Sequence, residues 1–230
     1  MRLLVCLVNC TYCYSQSDTP EMPWAQLIDI GYRIDLTDKE EEEVLVVGEN
    51  IRSINIDFES GGQDTVMFRK AAEYVFDNLI PFQLKFPDID RMEIIKKYLL
   101  RRDSEEIIND GFYIGCGDVC ALIGAILMKY GYDCKLIHAV SSKFSNTNDL
   151  GHVFLLIGKD DNQYLYDPSM SDDIIKNYTP GSAKQFKIRS EIGDLFVFAS
   201  HRNPRTLGII DIYSLNKMRM MAFNYWQGLK

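Results

Sequence analysis

Apolar positions along the chain set out its elements. Val119, Ile123, Ile126 or Leu127, and Tyr130 recur at steps of three and four, and Gly131 follows where a helix would close. This pattern predicts a buried helix with Cys116 at its start. Upstream, Val66, Ala71, Tyr74, Val75 and Leu79 fall at near-helical spacing. Asp64 or Thr65 can cap that run and Pro81 stops it. A further helix is predicted over residues 89–102, with Ile94, Ile95, Tyr98 and Leu99 on one stripe and basic residues in its last turn, where they suit the helix dipole.

Other segments predict a sheet. Residues 135–141 and 152–157 read as strands, with a polar loop over 142–150 between them. Gly158, Lys159, Asp160 and Asp161 supply a turn, and residues 162–167 return antiparallel until Pro168 stops them. Residues 195–199 add one more strand. A closing helix over 212–226 is rich in Met and aromatic residues, which read as core or docking positions.

The first 62 residues have a different texture. The run from Met1 to Val8 reads as a strand rather than a secretory signal, because it ends at Asn9 and no small-x-small cleavage site follows. Lys39 and Glu40 to Glu43 make a solvated acidic run, followed by the apolar stretch 44–47 and the alternation of Ile54, Ile56 and Phe58. Ser60, Gly61 and Gly62 break that pattern. The expected organisation is therefore a β-rich lead-in over 1–62 and a main domain over 63–230.

Composition narrows the classes. Of 230 residues, 47% are hydrophobic, enough for a sizeable core. Lys and Arg number 25 against 33 Asp and Glu, a formal net charge of −8 with no basic run, which argues against nucleic acid as the main partner. No apolar stretch approaches the roughly 18 residues of a membrane span, so no membrane association is expected. Cys6, Cys10, Cys13, Cys116, Cys120 and Cys134 are too tightly clustered, in a chain of this size, to suggest a disulfide framework. A reducing cytosol fits them.

Candidate chemistry centres on Cys116. A thiol becomes a nucleophile as its thiolate, which a helix N-terminus and a nearby imidazolium both favour. Gly115 and Gly117 remove bulk on either side, so a carbonyl can approach and local N–H groups can face a developing oxyanion. Asp118 sits in the first turn, where its charge would partly oppose a thiolate. The partner follows from the predicted hairpin. With a four-residue loop, Ile157 stands opposite Asn162, and counting outward His152 stands opposite Asp167, at the reach where a carboxylate orients an imidazole.

The segment Gly115-Cys116-Gly117-Asp118-Val119-Cys120-Ala121-Leu122, running on to Gly131-Tyr132, resembles the nucleophile helix of the transglutaminase-like superfamily. Gly151-His152-Val153-Phe154 is similar to its histidine strand, and Tyr166-Asp167-Pro168 to its aspartate strand. The order Cys, His, Asp, with gaps of 36 and 15 residues, also matches. The resemblance covers roughly residues 64–170. It implies an α+β papain-like core, with the nucleophile helix packed on an antiparallel sheet, and a catalytic Cys116–His152–Asp167 triad. The implied activity is acyl transfer on amide bonds of a protein or peptide through a thioester, as a peptidase, deamidase or transglutaminase, with no cofactor and no metal.

Two other readings compete. The same scaffold without chemistry would be a binding or assembly module. The spacing of Cys6, Cys10 and Cys13 resembles the [4Fe–4S] loop of radical S-adenosylmethionine enzymes, and a zinc site there would need a distant fourth ligand. Against the iron–sulfur reading, no succession of strand and helix pairs follows in the next 60 residues to build the barrel those enzymes use. Ordinary strand cysteines remain the simpler expectation. Cys120, Cys134, His138 and His201 are expected to be structural.

Overall fold

The structure is a computed structural model that describes residues 13–14, 45, 47–57, 63–144, 150–169, 173–177, 188–190 and 193–228. Among these residues the helices are α1 (Glu49–Ser53), α2 (Asp64–Asn78), α3 (Phe82–Lys85), α4 (Arg91–Tyr98), α5 (Ser104–Asp110), α6 (Cys116–Lys129) and α7 (Ile212–Gly228). The strands are β1 (Cys13–Tyr14), β2 (Ile80–Pro81), β3 (Phe112–Tyr113), β4 (Asp133–Ser141), β5 (Gly151–Lys159), β6 (Asn162–Asp167), β7 (Asp173–Lys176), β8 (Ile188–Ser190) and β9 (Gly193–His201). Most of the strands join one antiparallel sheet in the order β1-β8-β9-β4-β5-β6-β7, while β2 and β3 form a small parallel pair. The fold is α+β.

Helix α6 is the centre of the core. From Asp118 to Leu127 every residue is buried, which marks a helix surrounded on all sides. It packs against Phe68, Ala71, Ala72 and Val75 of α2 and against Cys134, Leu136, Val153, Leu155 and Ile157 of β4 and β5. Gly131 adopts φ 85°, the left-handed conformation that ends a helix cheaply only in glycine. Helix α7 covers the neighbouring part of the sheet, where Ile212, Leu215, Met218 and Ala222 meet Val140, Phe196 and Phe198. Among the described residues no helix is long and apolar enough to cross a membrane.

Several elements depart from the sequence pattern. The chain over 49–53 is helical where the lead-in reads as strand-like, and Leu45, Ile51 and Ile54 join the same core as α6. Neither Asp64 nor Thr65 caps α2. The cap position is Gln63, and the Asp64 carboxylate instead accepts from the hydroxyls of Tyr132 at 2.7 Å and Tyr164 at 2.9 Å. Helix α4 starts after Asp90, which caps Met92 and Glu93, and stops at Tyr98, because Leu100 turns into the left-handed region at φ 63°. The predicted strand over Met1 to Val8, the acidic run at 39–43, the Ser60-Gly61-Gly62 break and most of the loop over 142–150 lie outside the described residues.

The central hairpin is tighter than the sequence suggests. Lys159 pairs with Asn162, so the turn is Asp160-Asp161 alone, with Asp160 at φ 51°. Gly158 stays in the strand, paired with Asp133 on one side and Gln163 on the other. The register therefore moves by two positions. Pairing runs out to Leu155 and Tyr166, and the next position opposite Asp167 belongs to Phe154 rather than His152. Side chains alternate with a period of two, so a shift of two leaves His152 and Asp167 on one face.

Candidate active site

Cys116 opens α6 after Gly115, whose backbone is fully extended at φ −178°. First-turn N–H groups have no acceptor within a helix, and the dipole there favours negative charge. A Cβ at Gly115 would meet nothing within 4 Å, and one at Gly117 only Val153 Cγ2 at 4.0 Å, so neither flanking position is crowded. Cys116 itself is half-buried.

The other two predicted residues come to it from the sheet. His152 and Asp167 are only 3% and 2% exposed. His152 Nε2 lies 3.0 Å from Asp167 Oδ1 and donates to the carboxylate, which leaves Nδ1 for the thiol. Asp167 is held in turn by Ser169, whose N–H and hydroxyl donate to the same oxygen at 3.3 and 3.1 Å. The Phe154 ring stands edge-on to the imidazole, with centroids 4.5 Å apart. Strand β6 no longer flanks β5 at Val153, and two cysteines use that backbone. The Val153 N–H donates to Cys116, and the Cys120 thiol donates to the Val153 carbonyl at 3.4 Å.

Electrostatics favour the charged pair. Burial raises the Cys116 thiol, but the charge and hydrogen bond of His152, the Val153 N–H and the charge of Arg219 outweigh it and bring the thiol below its ordinary value. Burial likewise works against a charged His152, yet Asp167 and Cys116 push its pKa up to about 10. Both shifts favour the same state, a thiolate beside an imidazolium.

Asp118 plays a different part from the one its position suggests. Arg102 Nη2 meets Asp118 Oδ2 at 2.7 Å, and the Ile114 N–H donates to the same oxygen at 2.9 Å. Burial raises the Asp118 carboxyl in spite of the Arg102 charge. The Arg102 guanidinium also reaches Asp110 at 2.9 Å and the Phe112 carbonyl at 3.3 Å, with Cζ 4.1 Å from the centre of the Phe112 ring. The pair pins the chain that leads into Cys116, and the carboxylate is matched locally by Arg102.

Cys120 and Cys134 are buried free thiols, both raised by desolvation, in keeping with structural roles. His138 and His201 are buried on β4 and β9 with centroids 4.8 Å apart, and none of their ring nitrogens has a hydrogen-bond partner among the described residues. Cys6 and Cys10 lie outside the described residues, and Cys13 is described only as part of β1. No cluster of three metal-ligating side chains occurs among the described residues.

Three contributors were not singled out from sequence. Ser169 had a local signal, since a residue two places after Asp commonly donates back to its carboxylate. Arg102 and Arg219 had none, because each acts on residues far away in the chain. Arg219 projects from α7 and is 7% exposed.

No protein-family model matches the chain, and no curated protein matches it in sequence. Among solved structures it is similar to LapG of Legionella pneumophila, at 15% identity over 92% of this chain and 98% of that one, with a TM-score of 0.29. A likeness that slight carries no argument about fold or chemistry.

Proposed function

We propose that this chain is a cysteine-dependent acyl-transfer enzyme acting on amide bonds of proteins or peptides, built on a transglutaminase-like form of the papain-like core. Cys116 is the nucleophile, His152 the acid and base, and Asp167 the orienting carboxylate. The observation that carries this reading is the buried His152–Asp167 contact of 3.0 Å beside a thiol at a helix start. The resemblance of the three sequence segments around these residues to the transglutaminase-like superfamily supports it.

In this mechanism the Cys116 thiolate adds to the amide carbonyl, and first-turn N–H groups of α6 face the developing oxyanion. The His152 imidazolium gives its Nδ1 proton to the departing amine, leaving a thioester. Water then attacks with neutral His152 taking its proton, and the thiolate departs with the acid product. Asp167, fixed by Ser169, keeps the Nε2–H directed and the ring in place throughout. Water is the favoured acceptor, and the chemistry requires no metal or organic cofactor. The free thiols of Cys116, Cys120 and Cys134 suit a reducing compartment such as the cytosol.

Digestion of a peptide library followed by mass spectrometry tests the reading. The wild type is expected to cleave or deamidate a subset of peptides, and Cys116→Ala to lose that activity on the order of 10⁴- to 10⁶-fold while keeping its circular dichroism spectrum. Full activity in a folded Cys116→Ala variant would contradict it.

A further inference from the structure

The proposed triad leaves one buried charge unexplained. Arg219 belongs to the C-terminal helix, beyond the segments that carry the family resemblance, yet its guanidinium lies against the first residue of the histidine strand. A Cβ built on Gly151 would fall 2.5 Å from Arg219 Nε and 2.7 Å from its Cζ. The same Cβ would fall 2.7 Å from the Ala139 carbonyl oxygen, so the fixed backbone of β4 and the guanidinium together occupy the space a side chain would need. Gly151 is thus the slot that admits the guanidinium beside His152, and Asn216, one turn earlier on α7, accepts from Arg219 Nη1 at 3.4 Å.

We propose that Arg219 is a positioning residue of the catalytic site: seated in the gap at Gly151, its permanent positive charge stabilises the Cys116 thiolate and makes nucleophile activation depend on the docked C-terminal helix. The inference rests on the triad reading and extends it to α7. Among the described residues, His152 and Asp167 stand behind Cys116, Cys120 follows on α6, Asp118 is paired with Arg102, and His138 on β4 lies beside His201 on β9. Arg219 adds to the stabilisation of the Cys116 thiolate and opposes protonation of His138. Burial and the Arg219 charge disfavour protonation of His138, and burial that of His201, so the positive charges that act on Cys116 are those of His152 and, behind it, the Arg219 guanidinium.

The test is the pH dependence of Cys116 alkylation by iodoacetamide, mapped by mass spectrometry, in the full chain carrying Arg219→Gln or Arg219→Lys. Arg219→Gln is expected to raise the apparent pKa of Cys116 by about one unit, so that alkylation at low pH slows about tenfold while the high-pH plateau is unchanged. Arg219→Lys keeps the charge and is expected to stay within about 0.3 units of wild type. An unshifted profile in folded Arg219→Gln would overturn the proposal. If that variant fails to fold, Arg219→Met takes its place, with the same rise in the apparent pKa of Cys116 expected and an unshifted profile again overturning the proposal. Failure of the triad reading looks different, because Cys116 of the wild type would then label no faster than Cys120 or Cys134.

Discussion

On β5 the surroundings of a buried histidine favour its charged form, whereas on β4 and β9 the surroundings of two buried histidines favour the neutral one. Burial is nearly equal, with His152 at 3% exposure, His138 at 1% and His201 at 6%. The neighbours differ. His152 faces the Asp167 carboxylate and a thiol, and its pKa rises to about 10. His138 and His201 face each other with no acidic partner among the described residues, and burial lowers both, His201 to about 3. Desolvation pushes all three the same way, so the partner decides which imidazole can exchange protons with a substrate.

Removing the partner should have the largest effect on this contrast. Asp167→Asn is expected to lower turnover by up to about 10⁴-fold, because the amide cannot hold the imidazolium in the same state. Nuclear magnetic resonance titration should show the His152 pKa falling back toward 6.5. The pH dependence of stability should separate the two regions next. His152, with its raised pKa, contributes stability that is complete below pH 6.5 and lost as pH rises toward about 10. His201, with its lowered pKa, contributes stability present above pH 6.5 and lost as pH falls toward about 3. His201→Leu should therefore flatten the acid side of the urea-unfolding profile by up to about 1.4 kcal/mol per pH unit, and leave the alkaline side unchanged. A smaller effect is expected from Ser169→Ala. It removes one of the two donors that Ser169 gives Asp167 and should lower turnover only several-fold, without moving the alkylation profile of Cys116 by more than a few tenths of a unit.

The same two regions show what the sequence could reveal. Helix α6 was legible because its apolar steps and closing Gly131 agree with a helix buried on every side. The facing of His152 and Asp167 was legible for a reason more robust than the turn that suggested it. Gly158 looked like a loop residue but is paired on both sides, since a small residue also suits a crowded strand, and Asp160 supplies the left-handed turn position instead. A register error of one would have separated the pair, while an error of two did not. Helix α5 escaped because seven residues are too few to display a period, although Asp103 and Glu106 form a capping box at its start. The inward turn of Arg102 and the seat of Arg219 beside Gly151 were illegible, because tertiary packing alone places a charge next to a residue so distant in the chain.

The most direct test of the central claim is the pH profile of Cys116 alkylation by iodoacetamide in the wild type and in His152→Ala. The thiolate–imidazolium pair predicts fast, selective labelling of Cys116 with an apparent pKa well below the usual value of about 8.5, and loss of that selectivity once His152 is removed. If Cys116 labels no faster than the buried Cys120 and Cys134, or keeps its profile without His152, the pair is not what activates the thiol.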